Sequence, residues 1–268
     1  MILDEIVADV RDALEQRKAD CPQERLKKEV EGLAPPLDFA FLAHPGVSII
    51  AEVKRASPSR GALNMGLDPA QLAVTYASAG AQAISVLTEE RHFRGQLADL
   101  ADVRRALDSS DVARPILRKD FIVDPYQLLE ARAWGADAVL LIAAVLDVEN
   151  LEALMQEALS LGLTPLIEVH NEEELEAVLP LEPPVIGINN RNLEDFTVDL
   201  GTTEKLVSLI PSASLIVSES GIHEADQMRQ LATLGVDAAL IGEALVTAAG
   251  PAATLQEFRE AGQLGGSG

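Results

Sequence analysis

The sequence predicts a single (β/α)8 TIM barrel preceded by an N-terminal helical extension, and three observations lead to this fold class. Eight short runs of β-branched and apolar residues alternate with amphipathic helical segments from residue 47 onward. Residues 47 to 262 give about 27 residues per repeat, which suits a strand, a helix and two short connections. A helix-capping glycine followed by small residues and a strand recurs at Gly80, Gly135 and Gly235, about two and then about four repeats apart.

Strict alternation of strands and helices implies parallel strands joined by right-handed crossovers. A closed eight-stranded barrel and an open doubly wound sheet both satisfy this pattern. No glycine-rich dinucleotide-binding fingerprint follows the first run, which weakens the open sheet. The closed barrel is the leading prediction, with residues 1–268 as one domain and residues 1–46 as its helical extension.

The individual elements follow from periodicity and from turn residues. In the extension, an amphipathic helix covers residues 2–19, a charged helix ends at Val30, and a proline pair at residues 35–36 marks a loop. The predicted strands are residues 47–54, 83–87, 115–119, 138–143, 164–169, 185–189, 215–218 and 238–241. The predicted barrel helices are residues 69–79, 96–107, 125–134, 148–161, 172–178, 203–209, 224–234 and 252–260.

Charge composition narrows the class of partner. The chain has 43 acidic and 21 basic residues and a formal net charge of -22. This charge repels phosphate backbones and anionic lipid surfaces, so nucleic-acid and membrane partners are not expected. An anionic substrate would have to be held by the few Lys and Arg side chains close to the site.

Cysteine and histidine usage argues against metal and disulfide chemistry. Cys21 is the single cysteine, and His44, His92, His170 and His223 show no metal-ligand spacing. No metal and no other cofactor is therefore expected. The N-terminal residues do not resemble a signal peptide, and no apolar run is long enough to span a bilayer. We expect a cytoplasmic protein that is a monomer or a weak homo-oligomer.

Polar side chains gather at the C-terminal ends of four predicted strands, on the parity expected to face the barrel interior. These are Glu52 and Lys54 of the first strand, Lys119 of the third, Glu168 of the fifth, and Asn189 and Arg191 of the sixth. Active sites in this fold lie where the C-terminal strand ends meet. A purely structural ring of ion pairs is the alternative, and the contribution of four strands at once makes it weaker.

Two charged residues break this alternation. Arg118 and Asp120 fall on the opposite parity of the third predicted strand. Because that parity faces away from the barrel interior, we expect both residues to lie at the exposed end of the strand.

Small residues follow the last two predicted strands, at residues 218–222 and 241–245. Taken singly, Gly221 and Gly242 would be no more than tight turns. Barrels commonly bind phosphate at these two loops, where backbone N–H groups can approach an anion. The two glycines together therefore favour a phosphate site.

The chain resembles the indole-3-glycerol-phosphate synthase family over essentially its whole length. The resemblance rests on residues 50–59 (IAEVKRASPS), 87–90 (LTEE) with Phe93, 117–122 (LRKDFI), 165–169 (PLIEV), 186–194 (IGINNRNLE) and 219–221 (ESG). Several such motifs in one order form a specific signal. The resemblance implies that the leading helices lie across the barrel mouth. It also implies a carboxy-lyase of tryptophan biosynthesis, acting on 1-(2-carboxyphenylamino)-1-deoxyribulose 5-phosphate with loss of carbon dioxide and water.

The resemblance also implies roles for individual residues. Lys119 matches the general acid of ring closure and Lys54 a second lysine near the phosphate and the ketose, with the division of steps between them left open. Glu168 matches a carboxylate that acts as base or stabilises iminium charge, and Glu52 and Asn189 orient hydroxyls and lysines. Among the implied substrate contacts, Arg191 holds the carboxylate, and Phe93 and Phe121 lie on either side of the aromatic ring. Ser57 belongs to the loop after the first strand that closes over the substrate. The phosphate is surrounded by Ser220, Gly221, Gly242 and the backbone N–H of Glu243.

Three rival functions remain at this point. Phosphoribosylanthranilate isomerases use a cysteine at the end of the first strand, where this chain has Lys54. A Schiff-base aldolase would use Lys119 as its amine nucleophile. A non-catalytic barrel would bind a phosphosugar or a partner without chemistry.

Overall fold

The computed structural model describes residues 2–43, 45–193 and 195–263 and shows a closed barrel of eight parallel strands. The strands of the chain are β1 (Ser48–Val53), β2 (Ala56–Ser57), β3 (Gly61–Ala62), β4 (Ala83–Leu87), β5 (Ile116–Lys119), β6 (Ala138–Ile142), β7 (Thr164–Val169), β8 (Val185–Asn189), β9 (Leu215–Glu219) and β10 (Ala238–Ile241). Strand β1 pairs in parallel with both β4 and β10, which closes the barrel. The predicted fold class is confirmed, and the open sheet is wrong.

Within the described residues, two α-helices precede the barrel, and the other helices follow its strands and cover the outside. They are α1 (Ile2–Asp20), α2 (Gln23–Val30), α3 (Pro69–Ala79), α4 (Leu97–Asp108), α5 (Pro125–Ala133), α6 (Val148–Ser160), α7 (Glu172–Val178), α8 (Gly201–Leu206), α9 (Ala225–Leu234), α10 (Glu243–Val246) and α11 (Pro251–Ala261). The predicted barrel strands and helices are all present, with boundaries that differ by a few residues. Sequence analysis missed the hairpin of β2 and β3, which lies in the loop after β1.

Local sequence signals explain where several helices begin. The side chains of Asp68, Asp124, Asp147 and Asn171 each accept a hydrogen bond from a backbone N–H in the first turn of α3, α5, α6 and α7. Such N-caps satisfy amide groups that have no partner within the helix. Each cap therefore fixes the residue at which the loop from the preceding strand ends and the helix begins.

Alternation along each strand divides the core into two layers. Ile50, Leu117, Leu166 and Val217 fill the barrel interior. Neighbours on the other parity, such as Ala51 and Ile167, pack against the surrounding helices. The inward parity predicted for Glu52, Lys119 and Glu168 is therefore correct.

The N-terminal extension runs from the barrel mouth to the opposite end. Residues Ile2, Leu3 and Ile6 of α1 line the cavity at the mouth, and Leu14 packs with Tyr126 and Leu129 of α5. A 3-10 turn at Phe39–Leu42 then fills the bottom of the interior, where Phe39 and Leu42 are buried in the inner core. The position of α1 across the mouth agrees with the expectation for the leading helices.

The limits of the predicted domain stay a prediction. Met1, His44, Glu194 and residues 264–268 lie outside the described residues. The described residues 48–261 include every strand of the barrel and the helices from α3 to α11.

Candidate active site

One cavity at the C-terminal mouth of the barrel brings together the predicted site residues. Its lining includes Glu52, Lys54, Ser57, Phe93, Lys119, Phe121, Glu168, Asn189, Arg191, Ser220, Gly221, Gly242 and Glu243. Apolar side chains of α1, of β6 and of the loop after β8 complete the wall. The cavity therefore combines buried charge, an apolar face and glycine-containing loops, as expected for a small-molecule site.

Lys119 at the end of β5 lies between two buried carboxyl groups, Glu168 at the end of β7 and Glu219 at the end of β9. Its Nζ is 2.8 Å from Oε2 of Glu168 and 3.2 Å from Oε2 of Glu219, and the two carboxylate side chains are 3% and 2% exposed. Burial alone would lower the pKa of Lys119, but the negative charges of Glu168, Glu219 and Glu52 raise this pKa above its ordinary value. Lys119 is therefore a charged acid at neutral pH.

The two carboxylates around Lys119 differ in protonation. Burial would raise the pKa of Glu168, but the positive charges of Lys119 and His170 hold it well below its usual range. Burial raises the pKa of Glu219 to about 8; the attraction of Lys119 opposes this rise, and repulsion from Glu168 adds to it. The site thus holds one ionised and one protonated carboxyl group at neutral pH, a pattern that allows distinct roles as base and acid.

Sequence analysis missed Glu219 as a member of the site. Glu219 lies on the inward parity of β9, two residues after the buried Val217, and so continues the rule used for the other strands. Gly187 in the middle of β8 carries a second signal, because a Cβ atom there would lie 2.2 Å from Oε1 of Glu219. A glycine inside a strand indicates such a close approach.

Glu52 and Lys54 form a pair at the end of β1. Oε1 of Glu52 and Nζ of Lys54 are 2.5 Å apart, and the two side chains are mostly buried. The pair lies beside Gly242 at the end of β10, since a Cβ atom at Gly242 would be 3.0 Å from Nζ of Lys54. The lysine is therefore placed between the interior carboxylates and the loop predicted to hold phosphate.

The loops after β9 and β10 both line the cavity. In the first of them, Ser220 and Gly221 have positive φ angles of 65° and 83°. The carboxylate of Glu243 forms an ion pair, since its Oε1 lies 2.9 Å from Nη2 of Arg60 in the loop after β1. The contact between the Glu243 backbone N–H and an anion stays a prediction.

Phe93 and Phe121 form a single apolar wall. Their ring centroids are 6.1 Å apart with planes tilted by 40°, which leaves no room for a flat ring between them. The loop that carries Phe93 is held by Glu89, whose carboxylate accepts hydrogen bonds from the backbone N–H groups of Arg91, His92 and Phe93. An aromatic substrate ring would therefore stack on this pair rather than between its members.

The polar groups of the loop after β8 have partners that orient them. Oδ1 of Asn189 accepts the backbone N–H of Arg191 at 3.1 Å, and the Arg191 guanidinium donates to the carbonyl of Phe196 at 3.3 Å. Ser57 lies across the mouth in the β2–β3 hairpin, with Oγ 3.5 Å from Oγ of Ser59. Arg191 and Ser57 thus face the cavity from two different loops.

The expectation that Arg118 and Asp120 lie at an exposed strand end is wrong. The Arg118 residue is 1% exposed and Asp120 is 5% exposed, in the layer between the barrel and its helices. The guanidinium contacts Asp120 at 2.9 Å and Glu130 of α5 at 3.3 Å, and it donates to the carbonyl of Gln127 at 2.7 Å. Glu130 in turn contacts Arg17 of α1 at 2.8 Å. The outward-facing side chain of Arg118 is therefore part of a buried network of ion pairs.

Replacing Gly242 by alanine is expected to lower kcat about 100-fold, because a displaced catalytic side chain can cost this much. The new Cβ atom would lie 2.2 Å from Oε1 of Glu52, whereas the φ angle of -119° accommodates alanine. Steady-state kinetics and thermal melting would measure the effect. Gly32→Ala, which meets nothing within 4 Å, is the matched control and should keep full activity. Wild-type kcat in Gly242→Ala would contradict the placement of Glu52.

Two searches of the described residues concern other kinds of site. No group of three or more His, Cys, Asp or Glu side chains within them is arranged to hold a metal ion. None of the helices they form is both long and apolar enough to cross a membrane.

Comparison with solved structures finds the same barrel in distant proteins. The 3-hexulose-6-phosphate synthase of Salmonella typhimurium superimposes with a TM-score of 0.63 at 12% identity, covering 80% of this chain and 98% of that one. A thiamine phosphate pyrophosphorylase of Pyrococcus furiosus gives a TM-score of 0.58 at 18% identity, with 80% and 94% covered. Identities this low show the fold alone.

Comparison of sequences is more specific. The family model "Indole-3-glycerol phosphate synthase" matches residues 3–258. An indole-3-glycerol phosphate synthase of Roseiflexus sp. strain RS-1 is 49% identical over 92% of this chain and 94% of its own length. Indole-3-glycerol phosphate synthase 1 of Streptomyces coelicolor is 47% identical over 98% and 96% of the two chains. The chain therefore belongs to the indole-3-glycerol phosphate synthase family.

Proposed function

We propose that this barrel mouth closes the indole ring of 1-(2-carboxyphenylamino)-1-deoxyribulose 5-phosphate, with Lys119 as the central acid. The observation that carries the assignment is the position of Lys119, charged and held between Glu168 and Glu219 at the centre of the cavity. A ring carbon attacks the ketone in this reaction, so the developing alkoxide needs a proton donor. Lys119 supplies that proton, and Glu168 accepts the proton that leaves carbon later.

The substrate has two anionic ends, and the site offers a different partner to each. The loops with Ser220, Gly221 and Gly242 receive the phosphate through backbone N–H groups, with Lys54 beside them. Arg191 receives the carboxylate, because its planar guanidinium suits two parallel hydrogen bonds. The aromatic ring stacks on the wall of Phe93 and Phe121.

Charge inside the cavity explains how a strongly acidic protein binds such an anion. Lys54, Lys119 and Arg191 contribute positive charge close to the substrate. The pKa of Glu219, raised to about 8 mainly by burial, leaves that carboxyl group neutral at pH 7. Glu52, which contacts Lys54, and Asn189, which accepts the N–H of Arg191, orient these cations.

The decisive experiment is a fluorescence assay for indole-3-glycerol phosphate with purified protein and the anilino-ribulose phosphate substrate. We expect product at a catalytic rate without added metal or cofactor. Absence of product would contradict the proposed function. Borohydride treatment with substrate present should leave Lys119 unmodified, whereas a trapped adduct would favour the aldolase mechanism.

The isomerase alternative lacks its cysteine base in this geometry. Cys21 follows the C-terminal end of α1 and does not line the cavity, where Lys54 occupies the position after β1.

For the location and assembly of the protein, we propose a cytoplasmic enzyme that is a monomer or weak homo-oligomer and uses no cofactor. Sedimentation velocity at micromolar concentration tests the assembly state, and a tight oligomer would contradict it.

A further inference from the structure

His170 lies directly behind the carboxylate that faces Lys119. Its Nε2 is 3.3 Å from Oε1 of Glu168, and its Nδ1 is 3.0 Å from Oε2 of Glu174 in α7. The 3.3 Å contact has an ion-pair distance without hydrogen-bond geometry. The imidazole therefore bridges a buried active-site carboxylate and a second carboxylate closer to the surface.

The far side of His170 opens to a separate polar cleft of about 550 Å³. His170, Asn171 and Glu174 line this cleft, while Glu168 lines only the cavity of the mouth. The two spaces share Leu3, Asn189 and Leu193 in their linings. His170 thus lies in the wall between this polar cleft and the reacting groups.

The chemistry of the proposed function requires a proton from outside. Two protons go to oxygen, one to the alkoxide formed on ring closure and one to the hydroxyl that leaves as water, and one proton is removed from carbon. The substrate carboxylate leaves as neutral carbon dioxide, so each turnover takes up one proton from solvent. Because α1 and the β2–β3 hairpin line the mouth, a bound substrate would lie between the reacting groups and the solvent outside.

We propose that His170, acting through Glu168 and oriented by Glu174, supplies this proton from the polar cleft. The imidazolium first rotates its Nε2–H into line with Oε1 of Glu168, 3.3 Å away, and then gives its proton to that oxygen. Glu168 passes a proton from its carboxyl group to the Lys119 amine, which has just protonated the substrate oxygen, across the 2.8 Å contact. Lys119 is again an ammonium and Glu168 again a carboxylate. The neutral ring then turns its free Nε2 to the cleft, takes up a proton there from hydronium or a buffer acid, and returns.

The charges around the ring favour this role. The charged groups that face it are Glu168 at the end of β7 and Glu174 of α7, while the loop after β8 adds Asp199 to the cleft and α1 adds only the apolar Leu3. Burial alone would lower the pKa of His170, but Glu168 and Glu174 raise it to about 9. The ring is therefore protonated and able to donate below about pH 9, and this supply is lost as the pH rises past that value.

His170→Gln tests the proposal, which rests on the proposed function. We expect kcat to fall about tenfold or more with KM unchanged, in line with the loss of a proton-transfer group. The remaining rate should rise with buffer concentration, and added imidazole should restore much of it, since small bases can reach the cleft. A wild-type kcat, or a reduced kcat that responds to neither imidazole nor buffer, would overturn the proposal.

A second variant covers the case in which His170→Gln does not fold. Glu174→Gln keeps the ring but removes one of the two charges that hold its proton, so the alkaline limb of kcat should move to lower pH. An unmoved limb would overturn the proposal. Glu173→Gln, on the adjacent exposed position, is the matched control and should leave the limb in place. If the wild-type protein forms product and the variants behave like it, only the proposed proton route is contradicted. If the wild-type protein forms no product, the proposed function itself is contradicted.

Discussion

Replacing Lys119 by alanine is expected to lower kcat by about 10³-fold, within the range typical of a lost general acid. The substitution removes the proposed proton donor to the alkoxide and leaves the Glu168 and Glu219 carboxyl groups without their shared cation. KM should change much less, because the phosphate loops and Arg191 are untouched. Single-turnover fluorescence at saturating substrate measures the chemical step directly.

Lys205→Ala is the matched control for this experiment. Lys205 is an exposed lysine on α8, on the outside of the barrel, so its loss should leave kcat unchanged. Lys119→Ala that binds substrate and forms product at the wild-type rate would show that the acid has been assigned to the wrong residue. In that case Lys54 would be the remaining lysine of the cavity.

Replacing Arg118 by leucine is expected to lower the free energy of unfolding by about 3–5 kcal/mol. Arg118 is almost fully buried, and its removal leaves Asp120 without its cation and Glu130 with Arg17 alone, next to the β5 strand that carries Lys119. Activity should fall as well, because Lys119 immediately follows the altered position. Urea denaturation monitored by circular dichroism, with kinetics on the folded protein, measures both effects.

An exposed ion pair provides the comparison. Arg105 contacts Asp102 within α4 with 72% of its side chain exposed, so Arg105→Leu should cost less than about 1 kcal/mol. Adding Asp120→Asn to Arg118→Leu should recover part of the lost stability by removing the charge that has lost its cation. A cost below about 1 kcal/mol for Arg118→Leu would show that the buried network contributes little.

The contrast between Lys119 and Arg118 shows how far sequence reasoning reached. Both lie on one short strand, and their opposite parity was correctly inferred from the two-residue period. The inward direction of Lys119 was enough to place it in the site, because every inward side chain at a strand end faces the same mouth. The outward direction of Arg118 did not reveal its burial, which depends on Glu130 of α5 and Arg17 of α1.

Glu219 and the aromatic pair illustrate two further limits. Glu219 obeyed the same parity rule and was overlooked, although Gly187 on the neighbouring strand marked the space for it. The roles expected for Phe93 and Phe121 came from resemblance, and only the distance between their rings places them on one side of the cavity.

The eightfold repeat, the inward set of charged residues and the two glycine loops could be read from the chain alone, because they are set by local periods and by spacing along the sequence. The pairing of Lys119 with Glu168 and Glu219, the buried network behind it and the bridge from His170 to Glu174 required the tertiary structure. These contacts join groups on different strands and helices, and a distance of about 3 Å depends on barrel closure, strand register and helix packing together.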